Sequence, residues 1–315
     1  MNNSPKNLEI PIIIVHKGNP FYLKKVIKQI RLFNKNNPIY LLGDKCNEKT
    51  KDVNHYFISD YFSSAKEFEK KYIHMSSNLY GYELFCFQRW FVINEFVEEK
   101  KLKNFLCLDS DVLIYCNISE FFSAYLKYDH TTCSGWVPCF SLFNNVSIYK
   151  FCNYIIELYT NPKYLSRLKQ RYNDEFYRKK PGGNSDMTAF EFYPKDVSNN
   201  VFDLVIPHNG TFWDENISQS NGFEVKNGLK HIYWINDRPY CKLLQNGKLV
   251  KALGLHFQGK TKFIMYKYIL HTNLRRNTSI AYNIFSTLEP KLIFAKIERY
   301  KRGIQKLALK ITHKI

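Results

Sequence analysis

Short apolar runs rich in β-branched residues alternate along this chain with longer stretches whose apolar positions recur every three or four residues. Ile10-Pro-Ile-Ile-Ile-Val15 is the first such run, followed by the polar segment His16-Lys-Gly-Asn-Pro20. Phe21 to Phe33 then has helical spacing, with Asn19 placed as N-cap and Pro20 at the first helical position, which predicts strand, loop, helix. Ile39-Tyr-Leu-Leu42, closing on Gly43-Asp44, predicts a second strand, and Tyr56-Phe-Ile58 a third. Tyr82 to Glu99 carries Phe85, Trp90, Ile93 and Val97 on helical spacing, and Phe105-Leu-Cys-Leu108 is a buried-strand pattern running straight into Asp109. Asn117 to Tyr125 reads as the next helix. Lys179-Lys-Pro-Gly-Gly-Asn184 is a loop, after which Ser185-Asp186-Met187 opens another helix. Asn246-Gly247 between the apolar ends of 243–250 predicts a hairpin, whose second strand leads through Leu253-Gly-Leu to His256. The alternation predicts an α/β fold: a mainly parallel, doubly wound sheet flanked by helices.

Beyond Pro290 the pattern changes character. Ile293, Ile297, Tyr300, Ile304, Leu307, Ile311 and Ile315 fall at spacings of three and four with Lys and Arg between them, the signature of a basic amphipathic helix. From position 258 onward there are 13 Lys/Arg against Glu289 and Glu298, so this part carries most of the net charge of +18. Two partners compete to explain that charge: nucleic acid, or an anionic membrane surface together with anionic small molecules. The expected division is a larger folded domain, 1–262, followed by a basic helical extension, 263–315.

With 315 residues, 45% apolar and 17% aromatic, the chain has the material for a large core and is not a disordered polymer. Its eight cysteines show neither C-x₂-C nor C…H-x₃-H spacing, which argues against structural zinc and for reduced thiols. No signal-like start and no run of about 20 apolar residues is visible, so the expected setting is cytoplasmic, at most peripheral on the inner face of a membrane.

The chemistry concentrates at two places. In an extended segment residues i and i+2 face one side, so Asp109 and Asp111 can address one ion while Ser110 faces away. The apolar strand before them puts both carboxylates at its C-terminal edge, where ligands of open α/β sheets bind. Hard oxygen ligands suit Mn²⁺ or Mg²⁺, held together with substrate phosphates. A solvated strand-to-helix turn is the bland reading of the same triplet. His256-Phe-Gln-Gly259-Lys-Thr-Lys262, after the later strand, supplies an imidazole for a manganese site, a glycine that admits close backbone approach, and a lysine for phosphate.

Together with Arg89 on the helix Phe85-Cys-Phe-Gln-Arg-Trp90, these motifs resemble the GT-A superfamily of nucleotide-sugar glycosyltransferases, nearest to the glycogenin and bacterial lipopolysaccharide galactosyltransferase-like group. The resemblance spans roughly Ile10 to Lys262. It implies a GT-A fold, Asp109, Asp111 and His256 as ligands of Mn²⁺ (or Mg²⁺), and Lys262 and Gly259 at the donor diphosphate. It further implies His16 near the nucleotide, Arg89 reaching the donor, and Asp186 as the carboxylate close to the donor sugar, with retention of anomeric configuration. The N-cap of a helix is the plain reading of Ser185-Asp186. Where the group has Pro-Trp after its late lysine, this chain has Phe263-Ile264.

The implied reaction moves a sugar from a UDP-sugar to a saccharide or lipid-linked lipopolysaccharide-type acceptor, as in polysaccharide biosynthesis; the basic tail either packs back on the domain with a solvated basic face or attaches to an anionic membrane. In an inverting enzyme Asp186 or Asp214 would instead serve as base. The rival readings are a nucleic-acid-binding protein, for which no zinc-finger, RNP-like or heptad pattern is found, and a metal-dependent phosphotransferase or nuclease, which needs more clustered carboxylates than this sequence displays. No nucleic-acid partner is expected.

Overall fold

The computed structural model describes residues 9–177 and 182–270. Ile12–Val15 (β1), Ile39–Gly43 (β2), Asn54–Phe57 (β3) and Asn104–Leu108 (β4) form the parallel half of a seven-stranded sheet. Val112–Ile114 (β5) leaves that sheet, while His130–Thr132 (β6), Phe140–Asn144 (β7) and Val201–Asp203 (β8) complete it in the order β3-β2-β1-β4-β7-β6-β8. β7 runs antiparallel to β4 with Cys107 opposite Ser141. The inner strands are apolar on both faces because both faces are covered. The α/β class read from the alternation is the one observed.

Helices Leu23–Phe33 (α1), Ser63–Glu69 (α2), Tyr80–Glu99 (α3), Ile118–Phe122 (α4), Asn145–Thr160 (α5), Pro162–Tyr177 (α6) and Asp186–Asp196 (α7) flank this sheet. The large core lies where α3, α5 and α7 meet it, with Trp90, Phe96, Phe105, Phe143, Phe151, Phe190 and Tyr193 all buried. α1 contributes Leu23, Val26, Ile27 and Ile30 to the interior and places Gln29 Nε2 3.1 Å from the Ile114 carbonyl of β5. Its start differs from the expectation. Tyr22, not Asn19, is the N-cap, because Pro20 opens a turn in which Leu23 N–H donates to the Pro20 carbonyl and buried Tyr22 anchors the first helical bond, to Val26. Asn117 caps α4 as its residue type favours, accepting from the amides of Ser119 and Glu120.

A smaller second sheet is built from Thr211–Trp213 (β9), Tyr233–Ile235 (β12), Arg238–Lys242 (β13), Leu249–His256 (β14) and β5, with a separate hairpin of Val225–Lys226 (β10) and Leu229–Lys230 (β11). Its order is β12-β13-β14-β5, with β9 parallel to β14. The Asn246-Gly247 hairpin is present but longer than read: its first strand is β13, and 243–248 form the loop, closed by Leu243 N–H on the Lys248 carbonyl. Leu244 is exposed there rather than being a strand residue. Because β5 pairs antiparallel with β14 while β4 belongs to the main sheet, the chain changes sheets at Asp109–Asp111.

One compact unit runs through Ile269. The 3₁₀ turns Gly259–Tyr268 stay with it, and the Tyr268 carbonyl accepts from buried Tyr115 Oη at 2.8 Å. Among the described residues no helix is long and apolar enough to cross a membrane. The amphipathic segment beginning at Pro290 lies outside the described residues.

Candidate functional site

The two aspartates converge through a turn and not through strand alternation. Val112 N–H donates to the Asp109 carbonyl, bending the chain between the sheets, and Asp109 N–H is held by the Cys139 carbonyl of the strand pair below. Ser110 Oγ lies 2.9 Å from Nδ1 of His16, just past the end of β1. β14 ends beside this turn: His256 is in register with Val112, and Phe257 N–H donates to the Asp111 carbonyl at 3.0 Å. One ligand atom from each of Asp109, Asp111 and His256 thus lies within 4.8 Å of the others.

That group fits a divalent ion. Two hard carboxylates and a borderline imidazole are a donor set that Mn²⁺ accepts, and the spacing is near that of ligands around an ion bound at ~2.1 Å. The imidazole is also correctly oriented. His256 Nδ1 contacts the Glu215 carbonyl, which can only accept, so Nδ1 carries the proton and Nε2 is the atom turned to Asp111, 3.3 Å from Oδ1.

Asp111 is buried, and Lys262 Nζ sits 2.9 Å from its Oδ2. Burial favours the protonated acid, but the charges of His256 and Lys262 more than offset this and hold the carboxyl well below the usual carboxylate range. Burial likewise works against the Lys262 ammonium, and Asp111 outweighs it, raising Lys262 above its ordinary value. Asp111 is therefore an anion throughout the physiological range. For His16, burial and then the Lys262 charge lower the imidazole pKa, favouring the neutral ring.

Arg89 ties the remaining acids together. Its Nη1 is 2.6 Å from Asp109 Oδ1 and its Nη2 2.7 Å from Asp186 Oδ2, which also accepts from Arg89 Nε at 3.2 Å and Trp90 Nε1 at 3.0 Å. Asp186 Oδ1 accepts from Met187 N–H. Of the two readings of Ser185-Asp186 the N-cap is observed: Ser185 caps α7 in a capping box with Thr188, and Asp186, on the first turn, accepts from Arg89. Gly183 allows that approach, since a Cβ there would lie 2.4 Å from the Met75 carbonyl oxygen. Gly259 has φ of +62° and open space around a would-be Cβ, so it serves the turn and not a close approach within the protein.

Asp214 is not placed to act as a base. Its side chain is fully buried, ion-paired to Lys230 at 2.7 Å, with Oδ2 3.3 Å from the His256 amide. Sequence reasoning passed over Asp44 and Asn47, which shape the loop after β1: Asp44 Oδ2 accepts from Gly18 N–H at 2.7 Å, and Asn47 Nδ2 donates to the carbonyls of His16 and Gly18. Gly43-Asp44 at a strand end was the available signal. Lys17, 3.8 Å from the Phe85 ring centre, and Phe263, stacked on Phe21 at 5.9 Å, carried no such signal.

No protein-family model matches this chain, and no curated protein matches it. Among solved structures it is similar to the apo form of mouse xyloside xylosyltransferase 1, at 12% identity and a TM-score of 0.43 over 62% of this chain and 84% of that one. It is also similar to the galactosyltransferase LgtC in complex with donor and acceptor sugar analogues, at 10% identity and a TM-score of 0.44 over 84% and 99% of the two chains. A third similarity is to the apo bifunctional glycosyltransferase WbbM, at 13% identity and a TM-score of 0.42, covering 87% of this chain and 52% of that one. The chain thus spans about half the length of WbbM. These likenesses are distant.

Proposed function

We propose that this protein is a metal-dependent glycosyltransferase that moves a sugar from a nucleotide-sugar donor, a UDP-sugar, to a saccharide or lipid-linked acceptor with retention of configuration. The observation that carries the reading is the convergence of Asp109, Asp111 and His256 with Lys262 on one carboxylate, at the point where the chain changes sheets. Ligands of open α/β folds bind at such strand ends.

Asp109, Asp111 and His256 would hold Mn²⁺ or Mg²⁺, which when bound supplies charge to a departing nucleoside diphosphate. Lys262, about one-third exposed, is the second cation for that diphosphate. Arg89, fixed by Asp186 and Trp90, holds Asp109 in place. Asp186 Oδ2 already accepts from three donors, so its part is to position Arg89 and, through it, the donor end of the site. His16 and the loop braced by Asp44 and Asn47 flank the turn on the nucleotide side. The basic amphipathic segment from Pro290 suits attachment to an anionic membrane that carries the acceptor.

A two-metal nuclease or phosphotransferase requires further carboxylates, whereas among the described residues the metal-capable group is this single cluster of three. Calorimetry distinguishes the readings. UDP should bind with Mn²⁺ and not without it, and Asp111→Ala should abolish the binding; among UDP-, GDP- and CMP-sugars, Mn²⁺-stimulated hydrolysis should be greatest for UDP. Tight, salt-sensitive DNA binding unaffected by Asp111→Ala, with no UDP binding, would sink the proposal.

A further inference from the structure

We infer that the buried Lys230–Asp214 ion pair is a positioning device for His256, an inference that rests on the metal reading of the site. Both side chains are essentially inaccessible, at 1% and 0% exposed. Isolated charges so buried are costly, and a pair persists only when its hydrogen-bonding capacity is met. Lys230 Nζ lies 2.7 Å from Asp214 Oδ1 in an ion pair, and its hydrogen bonds go to the Asn216 carbonyl at 2.9 Å and Asn221 Oδ1 at 2.6 Å.

What this ammonium holds is a collar around one residue. Asp214 N–H donates to the Gly254 carbonyl, Asp214 Oδ2 accepts from His256 N–H, and Ile217 N–H donates to the His256 carbonyl. Between them the Glu215 carbonyl takes the His256 Nδ1 proton. Lys230 grips the residues on either side of Glu215, and its own amide donates to the Ile217 carbonyl at 2.7 Å. It therefore sets the direction of the one carbonyl that fixes the His256 tautomer and aims Nε2 at Asp111. Partners of this kind typically change metal affinity 10- to 100-fold when removed.

The test uses the full chain and Mn²⁺ alone, with free ion followed by electron paramagnetic resonance, and thermal unfolding measured in parallel. Lys230→Met should weaken Mn²⁺ binding about 10- to 100-fold. In the double variant Lys230→Met/Asp214→Leu, which removes both buried charges, the unfolding midpoint should return toward wild type while Mn²⁺ affinity stays low. A merely structural pair would show stability and affinity recovering together, which would overturn the inference, as would a folded Lys230→Met that binds Mn²⁺ within twofold of wild type. Should Lys230→Met not fold, Asn221→Ala removes one acceptor from a surface loop; a severalfold loss of affinity supports the inference and an unchanged affinity overturns it. If the wild-type protein binds no Mn²⁺, the metal reading itself falls, a result distinct from wild type and variant binding alike.

Discussion

His130 shows how far this interior departs from a uniform apolar medium. Fully buried, it lies against Phe143 with ring centres 4.9 Å apart and planes 13° off parallel, and neither ring nitrogen has a hydrogen-bond partner among the described residues. Burial pushes its pKa down to about 3. The unfolded chain, with an ordinary imidazole near 6.5, takes up a proton at that residue where the folded chain does not. Stability is therefore highest above pH ~6.5 and declines as pH falls toward the folded value. His130→Phe keeps the stack and removes the titration. Urea unfolding at pH 7 and pH 4.5 should show the wild type losing about 2–3 kcal/mol more than the variant over that interval. At the same scale, Asp109, Asp111, His256 and Lys262 were legible because acids and bases in a fixed short spacing after an apolar strand are uncommon. Asp214 and Lys230 were not, because a lysine in a polar stretch is ordinarily a surface residue and only burial gives it another meaning.

Among the elements, β14 carries the greatest constraint. Gly254 sits in it where the register against β9 shifts, and a Cβ there would lie 2.5 Å from Trp213 Cε3 and 3.2 Å from Phe140 Cε1. His256 is two residues further along the same strand. Gly254→Ala should cost about 1–3 kcal/mol in urea unfolding, as overpacking does, and should weaken Mn²⁺ binding because the strand cannot shift without moving the imidazole. β1, α3 and β4 were readable from period alone, since long or wholly apolar runs leave few alternatives. β5 was not. It follows Asp111 directly and looks like a continuation of β4, and only its pairing with β14, more than a hundred residues away in sequence, places it in the other sheet. The His130–Thr132 and Phe140–Asn144 strands also went unread, being short and separated by an irregular, cysteine-containing turn.

On the scale of the whole molecule, +11 of the net charge of +18 lies from position 258 onward, and +8 of that belongs to 271–315, outside the described residues. If that segment attaches the protein to an anionic surface, deletion of Pro290 to Ile315 should abolish sedimentation with anionic vesicles and leave Mn²⁺-stimulated donor hydrolysis intact. Vesicle binding that survives the deletion would assign attachment to the body of the protein.

By itself the sequence determined the α/β class, the strand that leads into Asp109, the helix that carries Arg89 and the residue types of the Asp109, Asp111 and His256 group. Periodicity and residue chemistry are local, so local pattern suffices for them. Tertiary structure alone decided that Asp109 and Asp111 meet through a turn between two sheets and that Asp186 Oδ2 is occupied by Arg89 and Trp90. It also decided that Asp214, a possible base when read in sequence, is sealed against Lys230 behind His256. Each of these depends on contacts between segments far apart in the chain, and on burial, which converts an ordinary charged side chain into a fixed partner.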